Sequence, residues 1–322
     1  MFSGLIILGG CSGEKRYHRE IDQLLSQKQM RYQAAAKIGE YAYRFPEDLE
    51  QLAVYANTLL ELGFNDECIE ICNHILNLDK SNIKVLQTRA MAYANTWNFE
   101  ESLHDLKTIK AGNNLNTSDI ETLTIIGQHS AIYQEILKTD NKIKTSPSDF
   151  DLFRQRADFF LSMNEPEAAI SDYQYFLDSS GFDLDVVLNK FRAGILAGDF
   201  AGAENDILLL RSHLGKDAPL DPGILSTILE ETKRFTGMLN SQPGLIEPYT
   251  ELARIFTTLD LEFKALDYLK QALKIQPGND QIRYRMALVY VATGDTARAK
   301  DILTELKAAG LEIPGQLETI LE

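Results

Sequence analysis

Between Ile246 and Gly310, apolar, small and polar positions recur along the chain at an offset of 34 residues. Tyr249 falls over Arg283, Leu252 over Met286, Ala253 over Ala287 and Phe256 over Tyr290. Asp260 falls over Gly294, Ala265 over Ala299, Leu269 over Leu303 and Ala272 over Leu306. A fixed period of this size predicts stacked copies of one supersecondary unit, each covering its neighbour's apolar face.

The frame extends backwards. Residues 49–82 put Ala56, Leu59, Gly63, Cys68, Cys72 and Ile75 in the equivalent places. Residues 83–116 supply Ala90, Tyr93, Trp97, Phe99, Ser102, Leu106 and Ile109. Residues 150–183 supply Ala157, Phe160, Asn164, Ala169, Tyr173 and Phe176, and residues 184–217 supply Phe191, Gly194, Gly198, Phe200, Ala203, Ile207 and Leu210. A first unit spans 15–48, with Ala34 at its small position and Pro46 behind it. Two stretches depart from the frame. Residues 117–149 lack the small residues, and a distorted helix pair ending near Pro147 is expected. Residues 218–245 are short and broken at Pro219, Pro222 and Gly223, then helical in period, as a short pair or one longer helix. The tail, 311–322, predicts a capping helix in PGQLETILE.

These positions resemble the tetratricopeptide repeat, two antiparallel helices (A and B) of 34 residues in all, with small residues at the eighth and twentieth positions, a large residue at the eleventh and Pro after helix B. The resemblance covers nearly everything from residue 15 to 310 and implies an all-α, right-handed alpha-alpha superhelix of about nine helix pairs, two of them degenerate. Its domains are an N-terminal array at 15–217, an irregular connector at 218–245 and a C-terminal pair at 246–310. Small residues let helices A and B approach closely, and Gly63, Gly198 and Gly294 mark the turns between them.

The composition, 44% hydrophobic and 25% charged, is that of a folded soluble chain. A net charge of −15 lacks the basic footprint of a nucleic-acid binder, so no nucleic-acid partner is expected. No apolar run reaches the roughly 18 residues that span a bilayer. At the N-terminus the apolar run Phe2 to Leu8 leads into Leu8-Gly9-Gly10-Cys11. This is similar to the bacterial lipobox, although no Lys or Arg precedes the run. The resemblance implies a signal peptide at 1–10, a lipidated Cys11, a linker at 11–14 and a membrane partner through the lipid. Ser12 in place of Asp points to the outer membrane, and the lack of an acidic run after Cys11 to its periplasmic face.

Candidate chemistry is sparse. Cys68 and Cys72 lie four apart on one predicted helix at core positions, which suits packing better than a metal or a disulfide. His18, His74, His104, His129 and His213 are scattered, and no nucleophile, dinucleotide or phosphate-loop motif occurs, so no catalytic residue, metal or cofactor is expected. Asp66-Glu67 and Glu100-Glu101 open predicted B helices, where they complement the helix dipole. Trp97 stands where the repeat usually has Gly and is expected to pack on the next unit.

What remains is surface. The resemblance implies a concave groove lined by A-helix positions, here Asn57, Glu61, Gln87, Asn95, Arg154, Asp158, Arg192, Arg254 and Tyr284. Ala53 and Asn57 stand where a carboxylate clamp has Lys and Asn, which disfavours a chaperone-tail ligand. The expected function is a non-enzymatic scaffold that holds a protein or peptide in this groove for envelope assembly, secretion or uptake. The alternatives are a cytosolic adaptor, or a glycan-binding protein or enzyme in which Arg154, Asp158 and Arg192 share a pocket with aromatic side chains.

Overall fold

A computed structural model describes residues 7–111, 117–215 and 220–321. The side chains of 7–12, Cys11 among them, lie outside the described residues, as does most of the expected signal peptide. Every described element is helical: α1 (Ile7–Leu25), a 3-10 turn (Lys28–Met30), α2 (Arg31–Arg44), α3 (Leu49–Leu62), α4 (Asn65–Leu78), α5 (Ile83–Asn95), α6 (Phe99–Ala111), α7 (Thr117–Thr145), α8 (Asp151–Ser162), α9 (Pro166–Ser180), α10 (Leu184–Ala197), α11 (Phe200–His213), α12 (Pro222–Ser241), α13 (Glu247–Thr258), α14 (Glu262–Ile275), α15 (Asp280–Ala292), α16 (Thr296–Ala308) and α17 (Gly315–Leu321). The class is all-α, the alpha-alpha superhelix. No helix among the described residues is long and apolar enough to cross a membrane.

The chain divides into two compact units, residues 1–135 and 136–322, with the division inside α7. In the first, α3 packs on α4 and α5 on α6, and Leu52, Ala56, Leu59, Cys68, Cys72 and Ile75 form fully buried core. The second holds the hairpins α8/α9, α10/α11, α13/α14 and α15/α16 around a core that includes Ala157, Tyr173, Phe191, Leu252 and Leu269. At its end, Ile313, Leu317 and Ile320 close over Ala287, Leu303 and Leu306, so α17 caps the last apolar face.

Local sequence explains the elements. Asp48, Asn82, Asp183, Asp199, Asp221, Asn279 and Asp295 are N-caps whose side chains accept backbone N–H bonds, each worth about 1 kcal/mol. Six A helices, α3, α5, α8, α10, α13 and α15, end in a left-handed residue: Gly63, Trp97, Asn164, Gly198, Asp260 and Gly294 have φ of 83°, 63°, 62°, 75°, 54° and 77°. At all six turns the next N–H reaches back to the helix, from Phe64 to Leu59 O through to Asp295 to Tyr290 O. Three of these turns therefore place a side chain where Gly fits best.

The close approach of A and B is also visible. Ala90 and Ser102 are fully buried, and Ser102 Oγ donates to Ala90 O at 2.7 Å. In α10 the roles are exchanged: Phe191 fills the usual small position and Gly194 stands at the usual large one. A Cβ on Gly194 would meet Asp199 O at 3.3 Å and Ala203 Cβ at 3.4 Å.

The two irregular stretches take one physical form. Residues 117–145, for which a distorted pair is expected, are one continuous helix, α7. With Thr124 and Ile136 where the repeat has its small residues, and no αL residue or Pro before Pro147, nothing turns the chain; Gly127 has open space around it and sits within the helix. The open alternative at 218–245 resolves as the single helix α12, begun by Pro222 behind the Asp221 cap. The backbone at 11–14, expected as a linker, is already part of α1.

Candidate binding groove

Successive A helices leave clefts between them. Between α3 and α5 is a cleft of about 730 Å³. Asn57 and Gln87 both line it, and its apolar lining includes Ala53, Val54 and Met91. Val54 is 55% exposed and Met91 36%, high for side chains of this size. Between α13 and α15 a second cleft, of about 370 Å³, holds Arg254, Thr257, Arg285 and Leu288 above Leu269 and Val289. The lining comes from A-helix residues one turn apart, since side chains three and four along share a face.

The other residues expected on this surface are tied into local networks. Asn57 Nδ2 donates to Glu61 Oε1 at 3.0 Å, and Asn95 Nδ2 to Asn65 Oδ1 at 3.0 Å. Arg154 is turned onto Asp151 at 2.8 Å, and this bond raises its already high pKa. Asp158 accepts from Tyr173 Oη at 2.6 Å and from Asn189 Nδ2 at 3.2 Å. Burial, reinforced by the Asp158 carboxylate, pushes the Tyr173 phenol well above its usual range. Arg192 donates to Asn189 Oδ1 at 3.1 Å and to Asp260 at 2.6 Å, linking α10 to the turn between α13 and α14. Asp158 and Arg192 are thus brought together through Asn189, and Arg154 is not part of that set. Arg254 is clamped by Glu251 at 2.9 Å and Glu231 at 2.6 Å. Tyr284 is half-buried against the C-terminal core.

Sequence reasoning missed a set of buried ionic clasps behind this surface. Arg89 donates to Asp105 at 2.8 and 2.6 Å and to Asn73 at 2.6 Å. Arg156 donates to Asp172 at 2.7 Å twice and to Asp140 at 2.6 Å. Lys190 donates to Asp206 at 2.6 Å. Each cation sits at the seventh position of its A helix and its acid sixteen residues on, in helix B; Arg89 and Arg156 also reach the preceding helix. The signal was a basic–acidic pair at a fixed offset, repeated in the frame. Burial is only partly offset by Lys190, so the Asp206 pKa is raised.

Cys68 and Cys72 are fully buried and unbridged, in keeping with packing. The Cys72 thiol is held protonated by its bond to Cys68 and by burial. Trp97 stands edge-on to Tyr133 with centroids 5.3 Å apart, so it packs on α7, beyond its own hairpin.

Helix hairpins in a constant register, with clefts between successive A helices, define a helical-repeat solenoid. Residues 264–312 match the tetratricopeptide repeat family. The hairpins α3/α4, α5/α6, α8/α9 and α13/α14 carry the same small, large and left-handed turn positions in the same frame, and α10/α11 carries the same turn. No curated protein matches the chain. Among solved structures, the TPR domain of P58(IPK) is similar at 14% identity, over 96% of each chain, with a TM-score of 0.33. A tetratricopeptide repeat protein from Parabacteroides merdae is similar at 11% identity over 96% of this chain and 98% of that one, with a TM-score of 0.27. PilW, a widely conserved type IV pilus biogenesis factor, is similar at 13% identity over 86% of this chain and 99% of that one, with a TM-score of 0.24. At these TM-scores the likenesses bear on nothing further.

Proposed function

We propose that this chain is a non-enzymatic protein-interaction scaffold whose A-helix clefts hold a segment of a partner protein. The observation that carries this reading is the α3–α5 cleft, where exposed Val54 and Met91 lie beside the amides of Asn57 and Gln87. Apolar contact there supplies affinity, and the amides can bond an extended backbone or a polar side chain. The reading extends to location. Leu8-Gly9-Gly10-Cys11 supports a diacylated Cys11 that anchors the scaffold on the periplasmic face of the outer membrane, where it serves envelope assembly, secretion or uptake machinery.

Two experiments test these parts separately. A photo-crosslinking amino acid placed at Asn57 or Gln87 should give a protein adduct in cells, whereas one at Tyr43, 91% exposed and not among the cleft residues, should not. Equal adducts from all three positions would remove the cleft from the function. Metabolic labelling with a fatty acid should mark the wild-type chain and not Cys11→Ala. A label that survives the substitution, or none on the wild type, ends the anchor reading.

A further inference from the structure

The α13–α15 cleft differs from the α3–α5 cleft in its charge, and the difference bears on what it holds. In the second unit, Arg154, Arg156, Arg192, Arg254, Arg283 and Arg298 each pair with a carboxylate. Among the described residues three arginines of this unit have no carboxylate: Arg211 donates to Ser226, Arg234 lies over the Phe235 ring, and Arg285, the one of the three on this cleft, makes a long 3.4 Å bond to the carbonyl of Thr250 on the facing helix. It is exposed, on the lining of a cleft whose other members include Leu288, Val289 and Leu269. Leu288 is 40% exposed and one helical turn from Arg285, so their Cβ atoms are about 5–6 Å apart. Arg254, also on the lining, is already paired with Glu251 and Glu231, and no carboxylate stands among the described residues that line the cleft with Arg285.

From this we propose that the α13–α15 cleft binds an acidic, aliphatic segment of a partner protein. One Asp or Glu side chain docks on Arg285, and a Leu, Ile or Met one or two residues away lies on Leu288. The inference rests on the scaffold reading and specifies the partner's chemistry. The planar guanidinium suits a carboxylate, and the apolar floor selects a side chain that a free small anion lacks. In a chain of net charge −15, a cation left unpaired in a cleft also gives selectivity, because the surrounding acidic surface repels acidic segments elsewhere.

The test is selection of random peptides displayed on phage against the full chain, followed by binding of synthetic representatives to wild type, Arg285→Glu, Leu288→Asp, Asn57→Arg and the control Tyr43→Glu. Arg285, Leu288 and Asn57 are exposed, and thermal melts confirm that the variants fold. The expected result is enrichment of peptides pairing Asp or Glu with Leu, Ile or Met. Their affinity should fall about tenfold or more in Arg285→Glu and Leu288→Asp, stay unchanged in the exposed control Tyr43→Glu, and weaken with added salt. Enriched peptides without acidic residues, or affinity indifferent to Arg285→Glu, overturn the proposal. Peptides lost only in Asn57→Arg overturn it while leaving the scaffold intact, and failure to enrich any peptide overturns both.

Discussion

The seventh position of the A helix is filled in opposite ways in the middle and at the end of the chain. In α5, α8 and α10 it is Arg89, Arg156 and Lys190, each bonded to a buried Asp of the paired B helix. In α13 and α15 it is Leu252 and Met286, and the positions sixteen residues on are Tyr268 and Ile302, which pack in the same apolar core. The hairpins form either way. Hairpin geometry therefore comes from what the two groups share: small residues where A meets B and a left-handed turn. The ionic pairs serve another end. A buried cation requires its acid, so misplacing a neighbouring helix costs far more in the middle repeats than at the end, where one apolar contact substitutes for another.

This contrast can be broken directly. Asp206→Ala leaves the Lys190 ammonium buried and unpaired and should cost about 3–5 kcal/mol in urea unfolding. Lys190→Met with Asp206→Leu, which writes the C-terminal solution into α10 and α11, should restore stability to within about 1–2 kcal/mol of wild type. A double variant as unstable as the single one would show that the middle repeats need charge for folding itself. Gly194→Ala tests the shared geometry. Its Cβ meets backbone at Asp199 and the Ala203 side chain, so a loss of about 1–2 kcal/mol is expected by thermal melting.

Tyr55 is a third solution at the seventh position, a phenol whose pKa burial raises to about 12. The unfolded phenol titrates near 10. The folded state keeps its proton longer, so the stabilisation is complete below pH 10 and is lost as pH rises towards 12. Tyr55→Phe should flatten the stability profile in that window; an unchanged slope would remove Tyr55 from the alkaline transition. The smallest expected effect is at a turn. Asn164 adopts φ 62° where three other repeats have Gly, so Asn164→Gly should stabilise by about 0.5–1 kcal/mol. A neutral or negative result would mean that backbone entropy offsets the relief.

Some of this was readable beforehand, for a reason visible in particular residues. Ala157, Ala169 and Gly198 act through sterics within their own hairpin, and a local steric requirement repeats wherever the hairpin does. Arg156 bonding Asp140 and Asp172 depends on three helices meeting, which composition at one position does not announce. The groove shows the same division. Asn57, Gln87 and Arg254 line clefts as their A-helix positions imply. That Arg192 is held by Asp260 and Arg154 by Asp151 depended on side-chain partners supplied by other turns and by helix ends.

By itself, the sequence determined the 34-residue period, the all-helical class and the turn positions, because each follows from spacing and steric size along one hairpin. The tertiary structure alone decided that 117–145 and 222–241 run as single helices and that three repeats lock through buried ion pairs. It also decided that the guanidinium of Arg285 lines a cleft with no carboxylate of its own. Those outcomes depend on which charges and surfaces meet across helices, and burial makes the cost of an unmatched group large enough to choose among them.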